Sequence, residues 1–268
     1  MPSASINGID LHYELVGAGP RLLFVNGSGA TVAGTAPLLR PLLEHFEVLA
    51  YDQRGLGETE IPPGPYAMAD YAADAIGLLD HVGWETTPVM GISFGGMVAL
   101  ELAVTVPDRI ERLALLCTSA GGAGGSSYPL HELTAMAVED RIRTNTEIMD
   151  TRFTPAYLAE HPRDAAIVQV MTGRHGLEKS DEVRRGEALQ LEARRHHDTW
   201  DRLGAITCPT FVAAGRYDGI APLPNSEGIA ARIAGSELHV YEGGHAFFIQ
   251  DRTAFPEVIG FLSEAAPS

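Results

Sequence analysis

Cysteine is almost absent from this chain: Cys117 and Cys208 are its only two, each beside an apolar run. They read as buried, unpaired thiols rather than as a disulfide or a redox pair. Basic charge is also short, with 19 Lys and Arg against 35 Asp and Glu, a net charge of −16 and a pI near 4.9. Such a surface repels nucleic-acid backbones and anionic lipid, so neither is expected as a partner. The opening Met1-Pro2-Ser3-Ala4-Ser5 lacks the basic region and apolar core of a signal peptide. No apolar run approaches the ~18 residues of a membrane span. A cytoplasmic location and no membrane partner are the resulting expectations. There is no internal repeat, and His196-His197 lack metal-ligand spacing, so no metal site is expected.

Hydrophobic residues make up 45% of the 268 positions and charged residues 20%, as in an ordinary globular protein with room for one large α/β domain and an insertion. Ile9 to Val16 reads as an early strand, ended by Gly17-Ala18-Gly19-Pro20. The apolar runs Leu22 to Val25, Phe46 to Tyr51, Val89 to Ile92 and Arg109 to Leu116 fit strands covered on both faces. Between them, Ala36 to His45, Met68 to Val82 and Phe94 to Val106 have helical spacing, the second with Tyr71, Ala72, Ala75, Ile76, Leu78 and Leu79 on one apolar face. This alternation predicts an α/β fold: a mostly parallel twisted sheet, helices on both faces, right-handed crossovers.

The rhythm breaks after Ser119. Gly121 to Ser127 is rich in glycine and serine and reads as a flexible stretch. From Pro129 to Trp200 the pattern turns helical and charged. Residues 120–200 are therefore expected to form an inserted helical cap, and 1–119 with 201–268 the core. The sheet resumes at Pro209 to Gly215 and Leu238 to Tyr241, and a last helix runs from about Phe255 to Glu264.

Gly91-Ile92-Ser93-Phe94-Gly95 lies between a buried strand and a helix. A serine at that junction can be held in a strained turn with its hydroxyl exposed. A hydroxyl is a weak nucleophile at neutral pH and needs a base, which in turn needs a partner to fix its tautomer. His245, in Glu242-Gly243-Gly244-His245, follows the last strand, and Asp218, in Gly215-Arg216-Tyr217-Asp218, follows the strand before it. One helix and one strand separate the two, so both emerge at the sheet edge that carries Ser93. The order Ser, Asp, His accompanies such an elbow. Asp52 competes less well: its neighbours Gln53-Arg54-Gly55-Leu56-Gly57 suggest a structural turn held by an Asp–Arg contact. His239 lies inside a strand, where its ring points into a layer. Oxyanion donors are expected from the backbone N–H of Phe94 and that of Ser28, in the small-residue loop Asn26-Gly27-Ser28-Gly29.

Together these segments resemble the α/β-hydrolase superfamily over nearly the whole chain. Leu23 to Gly29 is similar to its oxyanion loop, Tyr51 to Gly57 to its turn after the next strand, and Gly91 to Gly96 to its nucleophile elbow. Gly215 to Asp218 and Gly243 to His245 are similar to its acid and histidine sites. The closest likeness is to the capped esterase and lactonase group that includes 3-oxoadipate enol-lactonases, cofactor-free haloperoxidases and carbon–carbon bond hydrolases. The oxyanion loop departs from the usual His-Gly by opening Asn26-Gly27. The resemblance implies a serine hydrolase of a small carboxylic ester or lactone, with a small-molecule substrate and no cofactor. Activity would then fall below about pH 6 as His245 is protonated. Hydrolysis of a carbon–carbon bond in a ring-fission product, or a catalytically weak ligand-binding receptor, are the alternatives. Oligomeric state stays open. Arg141, Arg143, Arg152, Arg163, Arg174, Arg184, Arg185, Arg194 and Arg195 are spread over the cap. One could hold a substrate carboxylate, while most are expected to pair with nearby Glu and Asp on solvated helix faces.

Overall fold

A computed structural model describes residues 2–173 and 179–264. Eight strands form one sheet: β1 (Ser3–Ile6), β2 (Ile9–Gly17), β3 (Arg21–Val25), β4 (Glu47–Tyr51), β5 (Thr87–Ile92), β6 (Ile110–Leu116), β7 (Thr210–Gly215) and β8 (Glu237–Tyr241). Their spatial order is β1-β2-β4-β3-β5-β6-β7-β8. β1 pairs antiparallel with β2, and β2 with β4. From β4 to β8 every pairing is parallel.

Strand side chains alternate between two buried layers, as a pleat of period two requires. Leu23, Val25, Leu49, Val89, Leu113, Leu115 and Val212 pack into one layer. Leu22, Phe24, Val48, Met90, Ala114, Leu116 and Phe211 pack into the other. The first layer is covered by α2 (Met68–His81), α3 (Phe94–Thr105) and α8 (Leu223–Arg232). The second is covered by α1 (Val32–Leu43), α9 (Phe247–Gln250) and α10 (Ala254–Ser263). With both faces dry, continuous apolar runs are the strand signature. β5, Thr87–Ile92, is buried at every position.

Between β6 and β7 lie α4 (Val138–Met149), α5 (Pro155–Glu160), α6 (Pro162–Gly173) and α7 (Asp181–Arg195), with short 3-10 turns at Gly122–Gly124, Leu130–Ala135 and Trp200–Ala205. In the Gly121–Ser127 stretch, read from sequence as flexible, Gly121 and Gly124 are buried while Gly122, Ala123 and Ser126 are exposed. Gly121 bridges Asp198, and a Cβ on Gly121 or Gly124 would collide with His197 O or the Trp200 ring. Glycine serves close approach here.

Three further details differ from the sequence reading. β1 is an additional strand, four residues of alternating exposed and buried positions that carry no apolar run. α1 starts at Val32 because Thr31 caps it, its side chain accepting from Gly34 N–H. The expected Asp52–Arg54 contact does not form. Asp52 accepts from Val32 and Glu58 N–H at 2.7 and 2.9 Å, while Arg54 makes a bidentate pair with buried Asp74 of α2, both bonds 2.7 Å. Asp52 is consumed by backbone donors, so the guanidinium takes a carboxylate 20 residues away. Both cysteines are free and buried. Among the described residues no helix is long and apolar enough to cross a membrane.

Candidate active site

β3, β5, β7 and β8 end at the same sheet edge, so the loops that follow them converge there. β3 and β5 are also neighbours where the strand order reverses, the crevice in which open α/β sheets place ligands. Val25 is level with Gly91, and Gly215 with Tyr241. This register sets Asn26-Gly27-Ser28 beside Ser93, and Asp218 beside the loop to His245.

Ser93 occupies the turn between β5 and α3 at φ 55°, ψ −114°, a conformation that costs a non-glycine residue about 1–3 kcal/mol. Surrounding bonds impose it: Ser93 N–H donates to Leu116 O at 2.8 Å, and Ser93 O accepts from Gly96 N–H and the Thr118 hydroxyl. The flanking glycines allow the tight approach. A Cβ on Gly91 would strike Gly95 O, and one on Gly95 would strike Val25 O.

The imidazole of His245 bridges the other two sequence-predicted groups. Its Nε2 lies 2.9 Å from Ser93 Oγ and its Nδ1 2.8 Å from Asp218 Oδ2. The Asp218 side chain is fully buried and that of His245 13% exposed. Asp218 Oδ1 accepts from Ile220 and Ala221 N–H at 2.7 and 2.9 Å, which leaves Oδ2 for the ring. The His245 loop is pinned through its backbone: His245 N–H donates to Met149 O, and Tyr217 N–H to Gly243 O.

Phe94 opens α3, and the first N–H groups of a helix have no intrahelical acceptor. Gly27 approaches Ser93 closely; a Cβ there would sit 3.7 Å from Ser93 Cβ. Ser28 is the next residue, its own hydroxyl buried with no partner among the described residues. Asn26, where the sequence departs from the usual histidine, is only 2% exposed. Its amide donates to Thr35 Oγ1 at 3.1 Å, and its carbonyl accepts from Gln53 Nε2 at 2.7 Å. The loop is thus held from within and by a residue of the next turn.

Sequence reasoning missed the residues that brace these loops. Gln190, fully buried on α7, accepts from Gly29 N–H at 2.8 Å. Gln250 accepts from Gly244 N–H at 2.8 Å and donates to Asp150 at 3.0 Å. Burial opposes the charge of Asp150, but bonds from Arg152 and Gln250 outweigh it and hold its carboxyl below the usual range. No motif signals these glutamines, because each acts on a partner distant in sequence or through a backbone atom. His239 stacks on Phe211 with ring centroids 4.1 Å apart, away from the relay.

Several arginines between β6 and β7 behave as expected of solvated helix faces: Arg143 pairs with Asp140, Arg184 with Asp181 and Arg195 with Glu192. Arg152 departs from that pattern, pairing with fully buried Asp150 while its guanidinium lies 3.9 Å over the Tyr217 ring. Arg174 lies outside the described residues. Arg194 is buried. Among the described residues no group of three or more His, Cys, Asp or Glu side chains is arranged to hold a metal ion.

Residues 20–252 match the sequence profile of the family described as alpha/beta hydrolase fold. The chain is 32% identical to a putative carbamate hydrolase, RutD, of Variovorax paradoxus, covering 96% of this chain and 97% of that one. It is likewise 32% identical to a 2-hydroxymuconate semialdehyde hydrolase of Pseudomonas sp. strain CF600, covering 96% and 92%. Among solved structures, an enol-lactonase from Burkholderia xenovorans LB400 superposes with a TM-score of 0.80 at 27% identity, covering 98% of this chain and all of the other.

Proposed function

The chain belongs to the alpha/beta hydrolase fold family, and from that membership we propose that it is a serine hydrolase cleaving a small carboxylic ester or lactone through an acyl-enzyme. One observation carries this reading: an unbroken run of contacts from Ser93 Oγ through the imidazole to a buried carboxylate, 2.9 and 2.8 Å. With its ring proton on Nδ1 and donated to Asp218, His245 presents a bare Nε2 to the serine hydroxyl. Ser93 Oγ attacks the carbonyl carbon as its proton passes to Nε2. The tetrahedral oxyanion takes the Phe94 and Ser28 N–H groups. Collapse breaks the C–O bond, and the leaving alkoxide takes the proton from Nε2; in a lactone it stays tethered to the acyl group. Water then gives a proton to Nε2 and attacks the acyl carbon, and Ser93 departs with that proton. Asp218 steadies the transient imidazolium throughout. No step asks for a cofactor. In this reading residues 120–200 act as the cap and shape the pocket.

Cleavage of a carbon–carbon bond in a ring-fission diketone would use the same residues, and likeness to the 2-hydroxymuconate semialdehyde hydrolase keeps it as the second reading. A panel of p-nitrophenyl acetate, simple lactones and ring-fission diketones separates the two, run on wild type and Ser93→Ala. The reading expects turnover of esters or lactones by wild type and a loss of at least ~10³-fold in Ser93→Ala. Full activity in Ser93→Ala would overturn it. Stoichiometric acylation without turnover would point to a receptor.

A further inference from the structure

Arg194 lies in the last turn of α7 and is only 6% exposed. Its Nη1 donates to Tyr128 O at 2.7 Å. Its Nε and Nη2 are buried and have no hydrogen-bond partner among the described residues. Burial is the main influence on the group and lowers its pKa to about 10, while the Asp218 charge pulls it upward. It is cationic at neutral pH. The Asp218 carboxylate makes no hydrogen bond or ion pair with it; its oxygens contact Ile220 and Ala221 N–H and the His245 ring. A buried cation with unmet donors is costly unless an anion completes it.

Arg194 lines a cavity of ≈ 180 Å³. Met97 and Ser119 form part of its wall. Met97 stands one helical turn beyond Ser93 on α3, and Ser119 follows Thr118, whose hydroxyl bonds Ser93 O. Part of the cavity wall thus lies one helical turn from the candidate nucleophile, while Ser93, Asp218 and His245 do not line it. The Ser119 hydroxyl is itself buried and unpartnered among the described residues. His197, also on the wall, is pushed down to about 4 by burial and adds no positive charge at neutral pH.

Nε and Nη2 lie along one edge of the guanidinium, the edge that takes two carboxylate oxygens in parallel. We propose that Arg194 holds a carboxylate of the substrate by these two bonds, with the Ser119 hydroxyl as a third donor. The substrate class is then an ester or lactone that also carries a free carboxylate. This rests on the serine-hydrolase reading for the reaction, though the anion site itself does not depend on it.

The test compares p-nitrophenyl acetate with the mono-p-nitrophenyl esters of glutaric and adipic acid on wild type, Arg194→Met, Arg194→Lys and the surface variant Arg184→Met. Expected is a roughly 100-fold fall in kcat/KM on the charged esters in Arg194→Met, carried mainly by KM. Activity on the acetate stays within about threefold in every variant, and Arg194→Lys falls between, since an ammonium offers a point charge without the planar fork. Equal loss on neutral and charged esters, or no loss on either, overturns the inference. Calorimetric titration of Ser93→Ala with monoethyl glutarate reads the site without turnover: binding is expected, and its loss in Ser93→Ala/Arg194→Met. If wild type turns over no ester yet this titration shows Arg194-dependent binding, the hydrolase reading falls and the carboxylate site stands. If esters turn over and the titration shows no dependence on Arg194, the reverse holds. Should Arg194→Met fail to fold, Arg194→Lys and Ser119→Ala carry the same comparison.

Discussion

Ser93 holds a φ of 55° that its side chain disfavours, so local stability has been exchanged for a hydroxyl aimed at His245. Glycine has no Cβ to strain there. Ser93→Gly should therefore be inactive yet more stable than Ser93→Ala, by about 1 kcal/mol, as urea unfolding would show; equal stability would mean the turn carries no strain. His197 makes a second prediction. Burial pushes it down to about 4, against the upward pull of Glu101 and Asp198, with Arg202 also lowering it. The unfolded chain takes up that proton near 6.5 and the native state resists until about 4, so stability should fall as pH drops through that window. The full effect is roughly 3 kcal/mol. Unfolding curves of wild type and His197→Gln at pH 7.5, 5.5 and 4.5 check it, the variant losing less; parallel losses would exclude His197 as the cause. Ser93, His245 and Asp218 were legible because each sits in a short run of glycines at a strand end. Arg54–Asp74, Gln53, Gln190 and the orphaned Arg194 were not. Their meaning lies in a partner, or a missing partner, that only folding brings near.

At the scale of elements, β3, β5 and α3 could be read directly, since strands dry on both faces show as unbroken apolar runs. β1 could not, because its four residues alternate, and the first turn of α1 was hidden by Gly34, a poor helix former, and polar Thr35 ahead of Pro37 and Pro41. The middle segment read as helical and is so, but how it grips the core was invisible in sequence. The end of α4 and the residues after it run between two loops of the site: Gly219 N–H donates to Ile148 O, His245 N–H to Met149 O, and Thr151 N–H to Tyr217 O. Asp150 and Gln250 tie this strip to the Gly244 backbone. Gln250→Leu cuts these two bonds and a longer one to Asp164, 3.4 Å, without touching substrate. A fall of about tenfold in kcat with KM little changed is expected from loss of His245 positioning, measured by steady-state kinetics beside a thermal melt. A variant that melts earlier but keeps wild-type kcat would make Gln250 a purely structural brace.

Over the whole molecule, a sheet with both faces covered brings loops from residues 26, 93, 218 and 245 to one edge, while a helical segment contributes Gln190 to the first and Met149 to the last. The surroundings of Ser93 are thus assembled from segments as far as 152 residues apart, with each contact serving the same alcohol. The direct test is rapid acid quench of wild type with p-nitrophenyl acetate, followed by intact-protein and peptide mass spectrometry. The account predicts a transient acetyl adduct on the peptide bearing Gly91 to Gly95, located at Ser93 and absent from Ser93→Ala. An adduct on another residue, or ester turnover that persists in Ser93→Ala, would contradict it.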